Sequence, residues 1–203
     1  MVFCNPHYRR VDLLREIDGV YDEFGQYGFS MNLCAFLTVR KPLIEWTIDV
    51  PELRHNPDIY FQRHLYMGAF PTAPVAGNDH CIGPDAEIEK HYLDYGPLLD
   101  TLQGRKWVLL AHVVKGVDGG VKANLFKVPT GYVLPVTFGG DRHKATVVIS
   151  GLTNNVNRRF RIEALHRAAE KPAPVSARAQ GDLLTLEVPL VRGCAMVKPV
   201  KNK

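Results

Sequence analysis

The chain has 203 residues, 46% of them apolar, enough for one large domain or two small ones to bury a core without disulfide staples. Its 25 basic residues exceed its 21 acidic ones by only four, and the densest clusters, Arg158-Arg159 with Arg161 and the tail Lys198, Lys201 and Lys203, lack the aromatic interleaving of a single-strand binder, which argues against nucleic acid as a partner. No apolar run approaches the roughly 18 residues of a membrane span, and the stretch from Met1 to Pro6 lacks the basic and long apolar regions of a signal peptide, so the chain, if complete, is expected to stay in the cytoplasm.

In chain order, Met1 to Cys4 reads as a short strand stopped at Asn5-Pro6. Val11, Leu13, Leu14 and Ile17 recur at helical spacing and predict an amphipathic helix that ends near Gly19. The segment Gly19 to Gly25 is a second strand, with the paired acids Asp22 and Glu23 near its end. Ser30 is expected to cap a helix over Met31 to Arg40, with Leu33, Phe36 and Leu37 on one face and Pro42 closing it. A third strand runs from Pro42 to Asp49, where alternation puts Glu45, Thr47 and Asp49 on one face and Ile44, Trp46 and Ile48 on the other. The order strand, helix, strand, helix, strand argues for a parallel sheet with right-handed crossovers, which brings Asp22, Glu23, Glu45 and Asp49 to one C-terminal edge.

A long connection from Arg54 to His80 follows, carrying Tyr60, Phe61, Arg63, His64, Tyr66, Phe70, Asp79 and His80. This is recognition material rather than linker filler, and acids at strand ends followed by such a loop are how sites are built on parallel α/β scaffolds. Ile88 to Leu102 reads as a helix ended by Gly104. Beyond it come short β-rich runs: Lys106 to Val114, Val121 to Val128, Tyr132 to Phe138, Ala145 to Ile149, Phe160 to Leu165, Pro174 to Ala179, Leu183 to Val188 and Cys194 to Val197. Turn signals separate them, the pattern of an antiparallel β-sandwich. Its inner layer is expected to use Trp107, Leu109, Phe126, Val133, Val136, Val148, Leu184 and Leu186. The fold class is therefore α/β followed by all-β, with residues 1–104 as a partial (β/α) barrel-like region and residues 105–203 as a C-terminal β-sandwich domain.

The cysteines, Cys4, Cys34, Cys81 and Cys194, lie far apart with no metal-ligand spacing, and read as buried thiols. His55, His64, His80 and His91 are too scattered for a ligand cluster, so neither metal nor other cofactor is expected.

The segments Asp18 to Gly25, Arg40 to Asp49 and Tyr60 to Pro71, with the helix residues Tyr95 to Leu99, resemble the C-terminal part of a glycoside-hydrolase-like protein, in which a (β/α)8 barrel precedes a small β-sandwich. That resemblance implies a carbohydrate ligand and a pair of carboxyl groups as the chemical machinery. Glu45, Asp22, Glu23 and Asp49 are the catalytic candidates, and Tyr60, Arg63, His64, Asp79 and His80 the substrate-binding ones. Only about three of the eight strands that a barrel needs are present, so a missing N-terminal barrel segment or a second copy of the chain is expected as partner, and the chain alone is expected to be inactive. The alternative is a non-catalytic β-sandwich module that binds glycan or protein, or that serves as a structural buttress.

Overall fold

The computed structural model describes residues 2–4, 11–22, 28–45, 51–72, 85–151, 160–168 and 170–201. Its first part alternates strands and helices: β1 (Phe3–Cys4), α1 (Val11–Glu16), β2 (Gly19–Asp22), α2 (Gly28–Leu37), β3 (Leu43–Glu45), α3 (Pro51–His55), α4 (Pro57–Met67) and β4 (Phe70–Pro71). The four strands pair in parallel in sequence order, β1-β2-β3-β4. Cys4, Val20 and Leu43 share the face that packs on Leu14, Ile17, Cys34 and Ala35, so α1 and α2 cover that side. The opposite face carries a row of register partners, Tyr21, Ile44 and Phe70, all half-buried. Lys41 fastens α1 to the sheet by donating from its ammonium to the carbonyls of Leu14 and Ile17.

Two expectations are corrected here. The described part of the connection, Arg54 to Thr72, is largely helical: Pro57 opens α4 and Gly68, in the left-handed region at φ 67°, ends it. Tyr60, Phe61, His64 and Leu65 recur with the spacing of one helix face and are all buried, so their aromatic content serves a core and not a loop. In α2, which starts at Gly28, the buried residues are Met31, Cys34 and Ala35, whereas Leu33 and Phe36 are exposed.

The helix α5 (Ala86–Asp100), whose first turn is capped by the Asp85 carboxylate accepting from the Ile88 amide, leads into the antiparallel part. There follow β5 (Lys106–Trp107), β6 (Val114–Val117), β7 (Lys122–Ala123), β8 (Phe126–Val128), β9 (Gly131–Thr137), β10 (Lys144–Ser150), β11 (Phe160–Leu165), β12 (Ala173–Pro174), β13 (Ser176–Gln180), β14 (Leu183–Pro189) and β15 (Ala195–Lys201). They form a four-stranded sheet, β13-β14-β10-β6, and a seven-stranded set, β12-β11-β15-β9-β8-β5 with β7 paired to β9. Both sheets feed one hydrophobic cluster, through Ala145, Val147, Ile149, Leu184, Leu186 and Val188 from the smaller and Leu134, Val136, Ala195 and Val197 from the larger.

Along β10 the buried residues are Ala145, Val147 and Ile149, so Val148 faces away from the shared core, opposite to its expected side. Leu109 is exposed as well, because β5 ends at Trp107 and the chain turns through His112 at φ 55° before β6 begins. Trp107, Phe126 and Val133 instead join Leu53, Phe61, Leu65, Tyr95 and Leu98 in a second cluster, where α3, α4 and α5 lie on the other side of the larger sheet. With both faces covered, β9 is buried continuously from Val133 to Thr137 rather than in alternation. Among the described residues no helix is long and apolar enough to cross a membrane.

Candidate functional site

The parallel register sets Asp22 directly beside Glu45 at the C-terminal ends of β2 and β3. The next strand holds the pair in place: Pro71 is the partner of Glu45, and the Thr72 amide donates to the Glu45 carbonyl at 2.9 Å. Strand alternation places both carboxyls on the face of Val20 and Leu43, the face covered by α1 and α2, and they are almost completely enclosed, Glu45 at 0% and Asp22 at 2% exposure. Among the described residues neither Glu45 oxygen has a donor within reach. Burial first, then the charge of Asp22 beside it, pushes the Glu45 carboxyl up to about 9. Glu45 is therefore protonated at neutral pH, and only in that form can it bond to Asp22, because two ionised carboxylates have no proton to share.

Tyr60, Arg63 and His64 do not join this pair. All three sit on α4. Arg63 is engaged by Glu52 in a two-pronged ion pair, with both N–O distances at 2.7 Å. Tyr60 is buried against Phe61 and His64, with ring centroids 5.1 and 4.5 Å away, so it presents no exposed ring for a sugar to stack on. His64 is 1% exposed; its Nδ1 lies 2.8 Å from the Tyr60 carbonyl and its Nε2 has no partner among the described residues. Burial lowers its pKa to about 4, so it is neutral over the ordinary range. Glu23, Asp49, Asp79 and His80 lie outside the described residues, as do Trp46 and Cys81.

Among the described residues no group of three or more His, Cys, Asp or Glu is placed to hold a metal ion. Cys4, Cys34 and Cys194 are not in disulfides, and the last two are buried. Sequence reasoning missed a row of side chains on the larger sheet, Lys106, Lys127 and Tyr132, which are register partners across β5, β8 and β9. Strands of two and three residues carry too little periodicity to reveal such a row; the recurring Lys beside an aromatic was its only trace.

No family model matches the chain, and no curated protein matches it. Among solved structures, a GH30 endoxylanase from Clostridium papyrosolvens C71 is similar, with 12% identity and a TM-score of 0.47 over 96% of this chain and 52% of that one. The chain spans about half the length of that enzyme. At so low a score the likeness carries no weight for the chemistry of the site, which rests on the chain's own residues.

Proposed function

We propose that this chain is the closing part of a carbohydrate-active, glycoside-hydrolase-like protein, in which the parallel sheet is an arc of a (β/α) barrel and the antiparallel sheets form the C-terminal β-sandwich. The observation that carries this reading is the strand order. A sheet that runs β1-β2-β3-β4 without reversal, with helices on one face, is wound in one direction as a barrel is, whereas a doubly wound sheet reverses at a switch point and has helices on both faces. The half-buried row Tyr21, Ile44 and Phe70 is then the layer that faces into the barrel. Further strands, from an N-terminal barrel segment or from a second copy, would cover it.

In this reading the proton on Glu45 and the Asp22 carboxyl beside it stand at the strand ends where barrel sites are built, but on the helix-covered face and not on the face of Tyr21, Ile44 and Phe70 that looks into the barrel, so as they stand they are a buried pair behind the site and not its working acids. Both are shut off from solvent in this chain, so no glycosidic bond can reach them. The chain alone is expected to release aryl groups from a panel of aryl glycosides no faster than buffer. Turnover above buffer that Glu45→Gln abolishes would overturn the inactivity and identify Glu45 as one of the working pair. Turnover that Glu45→Gln leaves intact would remove Glu45 from the site altogether.

A further inference from the structure

A cavity of about 350 Å3, within the size range of small-ligand sites, opens where the two parts of the chain meet. Its polar lining is one-sided: Arg40 from the turn after α2, Lys106 from β5 and Lys127 from β8, with no carboxylate among the lining residues. Trp107, Tyr132 and Leu110 supply its apolar walls. Arg40 precedes the N-terminal end of β3, so the cavity lies away from the strand ends that carry Asp22 and Glu45.

The register explains how the cations come together. Lys106 is the direct partner of Lys127, and Lys127 of Tyr132, so the three stand in a row on one face of the sheet. Leu134, two residues beyond Tyr132 on β9, faces the shared core of the two sheets, and the row therefore continues that face toward the β5 edge. Two like charges directly opposed across an antiparallel pair destabilise it. Among the described residues none of the three cations is in an ion pair that would relieve this. An anion seated between them would.

We propose that this cavity binds a carboxylated sugar unit of an acidic glycan, its carboxylate held by Arg40, Lys106 and Lys127 and its ring lying against Tyr132. The guanidinium and ammonium groups offer charge-assisted hydrogen bonds to a carboxylate, and the Tyr132 side chain offers apolar area with a polar edge, which suits a ring with C–H faces and hydroxyl rims. Nucleic acid is the weaker fit, because a single-strand binder tracks successive phosphates along a groove, while these cations converge on one cavity. The choice of a sugar rests on the carbohydrate reading above; the choice of an anion does not.

The test uses the full chain and its single variants Lys127→Gln and Lys106→Gln, both exposed positions that leave the core intact. Binding of trigalacturonate is followed by calorimetry at low ionic strength, beside xylotriose, inorganic sulfate and a short oligothymidylate. Trigalacturonate should bind, xylotriose should bind at least tenfold more weakly, and each variant should lose about tenfold in affinity for trigalacturonate, the scale of one charge-assisted hydrogen bond. Equal binding of xylotriose with no effect of either variant would overturn the proposal and leave the carbohydrate reading standing. Binding of sulfate as tight as that of trigalacturonate, or tighter binding of the oligothymidylate, would overturn both the sugar assignment here and its link to that reading. Binding of none of the four probes would overturn the site itself, while the aryl-glycoside assay would still test Glu45 independently.

Discussion

The Gly68 carbonyl accepts a hydrogen bond from Nε of Arg105 at 2.7 Å, while a Cβ placed on Gly68 would lie 2.8 Å from that same nitrogen. One residue thus ends α4 in the left-handed region and leaves room for a buried arginine, whose Nη1 also donates to the Thr38 carbonyl at 2.5 Å. Arg105 ties the ends of α2 and α4 to the start of the antiparallel part. Gly68→Ala should cost about 2 kcal/mol, from backbone strain at positive φ and from the forced displacement of Arg105. Arg105→Met should cost about 2 kcal/mol by leaving two carbonyls without their donor. The double variant should be less unstable than the sum by about 1 kcal/mol, since the methionine no longer blocks the new Cβ. Urea unfolding of the four proteins reads all three values; strict additivity would sink the argument.

Glu45 and His64 give the chain opposing responses to pH. Glu45 has a folded pKa of about 9 against an ordinary 4.5, so its contribution is complete below 4.5 and is lost as pH rises toward 9. His64 has a folded pKa of about 4 against 6.5, so its contribution is complete above 6.5 and is lost as pH falls toward 4. Each slope approaches about 1.4 kcal/mol per pH unit. Between 4.5 and 6.5 they offset one another, and above 6.5 Glu45 acts alone. Wild-type stability should therefore fall by about 2 kcal/mol between pH 7 and 9, and Glu45→Gln, whose amide can donate to Asp22 without titrating, should remove most of that fall. Denaturant midpoints at half-unit pH steps would show it; parallel profiles for the two proteins would refute the buried acid.

The Gln62 side chain joins two residues in the left-handed region that are not glycines. Its Oε1 accepts from the Phe138 amide at 2.6 Å and its Nε2 donates to the Arg192 carbonyl at 3.0 Å, with φ at 60° and 50° in those residues. Arg192 is held again by Asp58 at 2.6 Å, and Asp58 also accepts from the Tyr95 hydroxyl at 2.7 Å. Gln62→Leu should lower stability by about 2–3 kcal/mol, through two backbone groups left unpaired and the strain they held in check. Phe138→Gly in the Gln62→Leu background should recover part of the loss, because glycine adopts positive φ without penalty. Thermal unfolding of the pair of variants is the measurement, and no recovery would mean that strain at Phe138 is not the cost.

How far the sequence revealed all this can be read from single elements. The alternation along β2 and β3 was visible because Val20, Leu43 and their neighbours follow a period of two, and it correctly set Asp22 and Glu45 at one sheet edge. The helix α4 is masked in the sequence, because Tyr60, Arg63 and His64 are residue types that suggest a site, and their composition outweighs the i, i+4 spacing of Tyr60 with His64 and Phe61 with Leu65. Trp107, Phe126 and Val133 read as part of the other core for a different reason. A sheet buried on both faces has two inner layers, and only the packing of α4 and α5 on it distinguishes them. The Asp22–Glu45 edge was legible, but that it faces the helices was not, since a period of two does not say which face the crossovers take.

The open face of the parallel sheet should make the chain self-associate. Tyr21, Ile44 and Phe70 stand in register across β2, β3 and β4 and are half-buried, although α1 and α2 lie on the opposite side. On the outside of α2, Phe36 is 74% exposed and Leu33, three residues away on the same helix face, is 40% exposed. Burial returns about 25 cal/mol per Å2, so a few hundred Å2 of such surface contribute several kcal/mol toward a partner. Two sheets meeting about a two-fold axis form the simplest closed arrangement available to the chain alone. Light scattering across a dilution series should show a mass above the 22.8 kDa of the monomer at high concentration. Ile44→Lys, at the centre of the row, should return the protein to monomer without unfolding it, whereas Phe36→Lys should do so only if α2 and not the sheet face makes the contact. A monodisperse monomer at every concentration would reject self-association and leave completion by further barrel strands as the remaining way to cover the row.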